Sequence, residues 1–256
     1  MIGAVLAGGR SARMGRDKAA LRMREAHGKS GDSDGAGGTS ARGAHPPTSS
    51  DDAHPSTSPR VANSPTTSRD PAIAINEPEL TWLERAILLL AQRFAEPWVV
   101  GRKIARGDPE VRNLSAFPES FPELRSREDL RPGAGPLAGL ETALELAAGE
   151  AALVIPCDLP RLDPRALDLL LAARGSAPAL AFRLASGQLE PAVVLAEPET
   201  LPDLRRYLDE GQRAAHRFLD LVHTRWLELP RDLEGGFLNV NTPGDLARLV
   251  RRPEME

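Results

Sequence analysis

Short apolar runs alternate along this chain with longer segments in which apolar and polar positions mix. Three of the runs, residues 2–6, 98–100 and 151–155, are almost wholly apolar and too short for a buried helix. Unbroken runs of this length are typical of parallel strands that are buried on both faces. Further strands are expected over residues 179–184 and 192–195.

The segments between these runs carry apolar residues at helical spacing. In residues 80–94, Leu83, Ile87 and Leu90 fall on one face of a helix. Similar patterns predict helices over residues 137–148, 164–173, 201–208, 214–221 and 244–251. This alternation predicts an α/β fold, a three-layer α/β/α sandwich in which helices cover both faces of a mostly parallel sheet.

One long segment, at about residues 27–78, does not fit this alternation. It is dense in Ser, Thr, Gly, Pro and Asp and has almost no large apolar residues. Such a segment cannot bury enough surface to offset the entropy lost on ordering. A long insertion in a surface loop costs little, because loop-closure entropy grows only slowly with length. We therefore expect a single domain over residues 1–256, interrupted here by a disordered insertion.

Composition narrows the classes of function. The formal net charge is -4, which argues against a general nucleic-acid-binding protein, since such proteins need a basic face. No apolar stretch approaches the roughly 20 residues of a membrane span, so no membrane partner is expected. A single cysteine, Cys157, excludes an intramolecular disulfide and a zinc site of several thiolates. The apolar N-terminal run lacks a basic leader and a cleavage-like end, which favours a cytoplasmic protein.

The loop that follows the first strand is the strongest chemical signal. Gly8 and Gly9 come directly after the strand and let a ligand approach the backbone N–H groups. Four cations follow within nine residues: Arg10, Arg13, Arg16 and Lys18. At the carboxyl edge of a parallel sheet such a loop suits a triphosphate, although it lacks the Gly-Lys pair of a Walker loop. The alternative is a solvated basic turn between strand and helix.

Polar residues that follow other predicted elements are candidates for further roles. Asp158 comes just after the strand at 151–155, where a carboxylate could hold Mg²⁺ against triphosphate oxygens or could cap the next helix. Asn239 and Asn241 alternate on an extended segment, so their side chains point to one side. Two turn residues before a helix are the alternative there.

Four sequence blocks together resemble one family. Residues 6–18 resemble the LAGGxSxRMGxDK signature of the molybdenum cofactor guanylyltransferases, which belong to the glycosyltransferase-A-like nucleotidyltransferases. Residues 135–139 resemble the family's GPLAG turn, and residues 156–160 and 239–243 match its two remaining blocks in the same order. The first block is shared by many nucleotidyltransferases, but the four in this order are specific. The fold that the resemblance implies is a Rossmann-like nucleotidyltransferase fold.

The resemblance implies a magnesium-dependent enzyme that transfers GMP from GTP to the phosphate of molybdopterin and releases pyrophosphate. The catalytic groups that it implies are Arg13, Lys18 and Asp158, with Asp158 as the metal ligand. The family also has a nucleotide-contacting aspartate near Asp129, and the spacing leaves Glu128 as an alternative. The implied nucleotide site comprises Leu6, Ala7, Gly8, Gly9, Lys18, Asp129 and Asp158, and the implied acceptor site comprises Asn239 and Asn241.

The residues leave several alternatives open. A molybdopterin cytidylyltransferase or another small-molecule nucleotidyltransferase of the same fold would share these blocks, and a nucleotide-sensing or scaffold domain is the non-enzymatic alternative. The implied partners are GTP, molybdopterin or molybdenum cofactor, and other proteins of cofactor biosynthesis or molybdoenzyme maturation. The sequence departs from the family at Gly101-Arg102, where some relatives have Asn-Arg. We expect this departure to remove one side-chain contact to the nucleotide.

Overall fold

The computed structural model describes residues 1–8, 80–105, 107–111 and 124–238 of the chain. The expected insertion at about 27–78, the first loop from Gly9 onward and the C-terminal helix expected over 244–251 lie outside these residues. Those three expectations remain predictions.

The described residues form one sheet of seven strands. The strands are β1 (Ile2–Leu6), β2 (Trp98–Val100), β3 (Arg125–Arg127), β4 (Ala152–Pro156), β5 (Ala179–Arg183), β6 (Leu189–Ala196) and β7 (Arg225–Glu228). Their order across the sheet is β3-β2-β1-β4-β6-β5-β7. Only β6 runs antiparallel to its neighbours β4 and β5, so the sheet is mostly parallel, as expected.

Helices cover both faces of this sheet. The helices within the described residues are α1 (Trp82–Ala91), α2 (Pro136–Leu146), α3 (Pro164–Ala172), α4 (Leu201–Asp209), α5 (Ala215–Leu221) and the short α6 (Arg231–Glu234). Side chains of α1 and α3 share one apolar core with alternate residues of the central strands. Side chains of α2, α4 and α5 form a second core on the other face. The predicted three-layer architecture is therefore confirmed.

Local sequence explains where two of these helices begin. Thr81 caps α1 in a capping box: the Glu84 N–H donates to Thr81 Oγ1 at 3.1 Å, and the Thr81 N–H donates to Glu84 Oε2 at 2.8 Å. Pro164 opens α3, where its missing N–H costs nothing, and Asp163 is the N-cap. None of the described helices is long and apolar enough to cross a membrane.

Two strands, β3 and β7, were not predicted from the apolar pattern. They lie at the two edges of the sheet and read Arg125-Ser126-Arg127 and Arg225-Trp226-Leu227-Glu228. An edge strand has an open side and is often rich in charged residues, so it lacks the apolar run of a central strand. The prediction at residues 192–195 was also too short, because β6 begins at Leu189.

Candidate nucleotide-binding site

The carboxyl ends of four neighbouring parallel strands form one edge of the sheet. In the sheet, β2 and β3 lie on one side of β1, and β4 lies on its other side. The strand order therefore reverses between β1 and β4. A crevice at such a switch point is where open α/β sheets bind ligands. The residues that leave this edge are Ala7 and Gly8 after β1, Gly101 after β2, Glu128 and Asp129 after β3, and Cys157 and Asp158 after β4.

The loops after β1 and β2 touch backbone to backbone at Gly8 and Gly101. The Ala7 N–H donates to the Val100 carbonyl at 2.8 Å, and the Gly101 N–H donates to the Arg127 carbonyl at 2.9 Å, so both loops continue the ladder past the strands. Gly101 has a φ of +106°, and a Cβ there would lie 2.5 Å from Gly8 N. Position 101 therefore accepts only glycine in this conformation.

This contact gives Gly101 a structural role, and the expected loss of a side-chain contact to the nucleotide remains a prediction. A Cβ on Gly8 would in turn lie 3.1 Å from Gly101 Cα and 3.2 Å from Asp129 Oδ2. Three strand ends thus converge on one small exposed backbone surface at Gly8. An asparagine at 101, as in some relatives, would need a different path for one of the two loops.

The Asp129 carboxylate lies against this backbone surface. Its Oδ1 is buried, and no group of the residues that the structure describes forms a hydrogen bond with that atom. Burial raises the pKa of Asp129 above its ordinary value. Glu128, the alternative from sequence spacing, is exposed to solvent. The geometry favours Asp129 over Glu128, and its contact with the nucleotide remains a prediction.

The GPLAG block supports the loops from beneath. Gly135 has a φ of +81° and precedes α2, which begins at Pro136. Gly139 lies under β1, since a Cβ there would lie 2.7 Å from Leu6 Cδ2. On the next turn, Thr142 Oγ1 accepts a hydrogen bond from the Leu130 N–H at 3.0 Å. The block therefore positions β1 and the segment that follows Asp129.

Asp158 lies in the turn after β4, next to the loop of β1. The Cys157 N–H donates to the Leu6 carbonyl at 3.2 Å, which carries the pairing of β4 with β1 one residue beyond the strand. The Asp158 side chain is half-buried. Because Asp163 is the N-cap of α3, Asp158 is not the cap of that helix, and the alternative reading of Asp158 from sequence is wrong.

The donor set at this edge fits Mg²⁺ bound together with a triphosphate. Within the described ranges, no group of three or more His, Cys, Asp or Glu side chains could hold a metal ion alone. Mg²⁺ in nucleotide sites usually takes one or two carboxylates, and phosphate oxygens and waters complete its coordination. A single well-placed carboxylate such as Asp158 therefore fits the chemistry.

Part of the predicted site lies outside the described residues. These positions are Gly9, Arg13, Lys18, Asn239 and Asn241. The described half consists of Leu6, Ala7, Gly8, Asp129 and Asp158, which the fold brings to the same edge of the sheet. The roles given to both halves remain predictions.

Comparisons with known proteins found a family model and relatives that match much of this chain. A family model described as MobA-like NTP transferase domain matches residues 75–226. The chain is 30% identical over 181 residues to a probable molybdenum cofactor guanylyltransferase of Bacillus licheniformis, covering 62% of this chain and 91% of the relative. It is 33% identical over 138 residues to a molybdenum cofactor guanylyltransferase of Serratia proteamaculans, covering 54% of this chain and 68% of the relative.

A solved structure has a similar fold. It is the molybdopterin-guanine dinucleotide biosynthesis protein A of Archaeoglobus fulgidus, with a TM-score of 0.59 and 18% identity. The match covers 97% of this chain and 96% of that protein. At this level of identity the likeness supports the fold alone.

Proposed function

Because this chain belongs to the family of MobA-like NTP transferase domains and is a nucleotidyltransferase, we propose that it transfers GMP from GTP to the phosphate of molybdopterin. The products are pyrophosphate and the guanine dinucleotide form of the cofactor. The observation that supports this most directly is the half-buried Asp129 carboxylate over Gly8, at the switch point of the sheet. A buried oxygen with no described partner is suited to accept a hydrogen bond from a ligand.

In this proposal the nucleotide binds on the backbone of Leu6, Ala7, Gly8 and Gly9. The convergence of glycines lets a planar or sugar group approach the main chain closely. Asp129 accepts hydrogen bonds from N–H or O–H groups of the nucleoside. Because its carboxylate is half-buried, such bonds are stronger there than at an exposed position.

The chemistry joins a phosphate oxygen of the acceptor to the α-phosphorus of GTP and breaks the bond between the α- and β-phosphates. The phosphate monoester is already ionised at neutral pH, so no general base is needed. The protein's task is to align the reacting groups and to stabilise the charge on the departing pyrophosphate. We assign that stabilisation to Arg13 and Lys18 of the first loop, and the binding of the acceptor to Asn239 and Asn241.

We propose Mg²⁺ as the cofactor, held by Asp158. When bound, the ion would lower the negative charge on the triphosphate oxygens. The position of Asp158, one residue beyond the last backbone bond between β4 and the β1 loop, supports this assignment. We further propose that the enzyme works in the cytoplasm with other proteins of cofactor biosynthesis or molybdoenzyme maturation, as the family resemblance implies.

The test is incubation of the protein with molybdopterin, Mg²⁺ and one α-labelled nucleoside triphosphate at a time. We expect labelled dinucleotide cofactor and pyrophosphate with GTP, and much less of both with CTP or ATP. A preference for CTP would make the protein a cytidylyltransferase. Binding of GTP without turnover would instead support a nucleotide-sensing domain.

A further inference from the structure

An arginine that lies beside the proposed nucleotide site forms ion pairs with two acids of its own loop. Arg102 follows Gly101, and its Nη1 and Nη2 donate to Glu110 Oε2 and Asp108 Oδ2 respectively. The two carboxylate side chains are only 7% and 6% exposed, whereas the arginine is 27% exposed. Both terminal nitrogens of the guanidinium therefore point back into the protein.

Asp108 and Glu110 are themselves held in place by further hydrogen bonds. The Glu110 N–H donates to Asp108 Oδ1 at 3.0 Å, which fixes their relative positions. Thr81 Oγ1, the cap of α1, donates to the Glu110 carbonyl at 2.6 Å. Earlier in the same loop, the Ile104 N–H donates to Ser126 Oγ of β3 at 2.9 Å. The loop after β2 is thus tied to β3 near its start and to α1 through Glu110.

These contacts of the β2 loop affect the proposed nucleotide site, because Gly101 precedes Arg102 in the chain. Arg102 forms an isolated bridge with Arg127, the last residue of β3, and Gly101 rests on Gly8. Gly101 is also held by the bond from its N–H to the Arg127 carbonyl. Loss of the Arg102 contacts would therefore loosen, rather than break, the contact of Gly101 with Gly8 and so change the backbone surface beside Asp129.

We propose that Arg102 is a positioning residue that holds the β2 loop against the nucleotide-binding loop and does not bind the triphosphate itself. This proposal rests on the proposed function, because the loop it positions is the one assigned to the nucleotide. The obvious alternative is a phosphate ligand, since arginine is the usual partner of phosphate groups. Turning the guanidinium toward a phosphate would break its ion pairs with two buried carboxylates, which is unfavourable.

The two roles differ in what removal of the acids should do. We compare Arg102→Gln, the double variant Asp108→Asn with Glu110→Gln, and the triple variant, and measure GMP and GTP affinity by calorimetry. A positioning role predicts that each variant weakens GMP and GTP by the same factor, about tenfold, and that the triple variant is no weaker than Arg102→Gln. At saturating substrates, turnover should change less than about threefold, so the effect falls on KM.

A phosphate ligand predicts a different pattern and would overturn the proposal. If Arg102 bound the β- or γ-phosphate, Arg102→Gln would weaken GTP but not GMP. Whichever phosphate Arg102 bound, the double variant would leave GTP binding intact or improve it, because the arginine is released. Arg125→Gln serves as the matched control, since it removes an exposed ion pair with Glu96 and a contact with the Trp98 ring at the far ends of β3 and β2. That control should bind both nucleotides normally.

Hydrogen exchange of the free protein makes the test independent of the reaction. Loss of the Arg102 contacts should speed exchange of the Ala7 and Gly101 amides, whose hydrogen bonds join the strand ends. Unchanged exchange in the double variant would contradict the proposal, even if Arg102→Gln does not fold. Failure of the wild-type protein to bind any guanine nucleotide would count against the proposed function, and the exchange result would still decide the role of Arg102.

Discussion

At the edge where β1 and β4 begin, acids of the chain are paired with bases, whereas at the opposite edge Asp129 is half-buried beside a glycine backbone. On the first edge the N-terminal amine of Met1 pairs with Glu150, and Arg174 pairs with Glu197 at 3.0 Å. On the second edge Asp129 Oδ1 has no hydrogen-bond partner among the described residues, and burial raises its pKa. Carboxylates at the amino edge are thus stabilised by ion pairs, whereas burial destabilises the charged Asp129 carboxylate at the carboxyl edge.

The difference indicates that the two edges serve different purposes. The two ion pairs at the amino edge compensate the charges of Glu150 and Glu197, and a pair near the surface adds about 0–1 kcal/mol to stability. At the carboxyl edge the Asp129 carboxylate lowers the stability of the folded protein, because its charge is not compensated within the described residues. Sites of that kind are candidates for ligand binding, because a ligand can supply the missing partner. The predictions below test this contrast.

The largest effect is expected from Asp158→Asn at the carboxyl edge. Asparagine keeps the size of the side chain but removes the charge proposed to hold Mg²⁺. We expect turnover to fall by at least about a hundredfold, in line with the loss of a key charge-stabilising group. The midpoint of thermal unfolding should change little, because asparagine keeps the size and one oxygen acceptor of the side chain and Asp158 is not the cap of α3.

Turnover of Asp158→Asn is measured by pyrophosphate release across a series of Mg²⁺ concentrations. A ligand role predicts that the activity lost at low Mg²⁺ recovers in part at high Mg²⁺. Full activity at all concentrations would mean that the metal is held elsewhere, with Asp129 as the next candidate.

A second effect is expected where the loops after β1 and β2 meet. Gly101→Ala would place a Cβ 2.5 Å from Gly8 N at a φ of +106°, so backbone strain and overlap add together. We expect the free energy of unfolding to fall by about 2–3 kcal/mol and nucleotide affinity to fall with it. Urea unfolding and calorimetry measure the two effects.

Gly175→Ala at the amino edge is the matched control. Gly175 has a φ of +77°, and a Cβ there would meet nothing within 4 Å. Only the backbone cost of about 1–2 kcal/mol should appear, with no loss of nucleotide affinity. Equal losses at the two positions would show that the Gly8–Gly101 contact adds nothing beyond the local conformation.

The sequence predicted most of what lies near β1 and β4, for a physical reason. A strand buried on both faces is visible as an apolar run, and the residue that follows it must lie at an edge of the sheet. That logic locates Gly8 and Asp158 without any knowledge of the fold. It misses β3, an edge strand of sequence Arg-Ser-Arg, and so cannot decide from spacing between Glu128 and Asp129.

The rest of the site depends on contacts between segments distant in the chain. The positive φ of Gly101 and its approach to Gly8 come from the packing of two loops, and nothing in the residues around Gly101 signals them. The sequence around Arg102 likewise does not show that Asp108 and Glu110 are its partners. Charged residues at this spacing also occur in ordinary exposed clusters. The four family blocks supplied the proposed roles, while the structure supplied the reason for the glycine at 101.

The smallest effect, and the sharpest test of the contrast, comes from replacing an acid by its amide at each edge. Asp129→Asn removes a charge that burial destabilises, so the free energy of unfolding at neutral pH should rise, by less than about 1 kcal/mol. Glu197→Gln removes the partner of Arg174, so the same quantity should fall, again by less than about 1 kcal/mol. Nucleotide affinity should fall about tenfold in Asp129→Asn only.

The dependence on pH separates the Asp129 effect from an unspecific one. Because the folded-state pKa of Asp129 is raised above its ordinary value of 3.8, the folded protein binds this proton more readily than the unfolded chain does. The contribution of Asp129 to stability therefore falls as pH rises from about 3.8 through the folded-state pKa and is constant above it. Asparagine at position 129 does not titrate, so the variant does not lose this stability as pH rises. The variant should therefore become more stable than the wild-type protein across this pH range, and the difference should persist at neutral pH. Urea unfolding at several pH values measures it, and a variant less stable than wild type at neutral pH would mean that the Asp129 charge is compensated in the free protein.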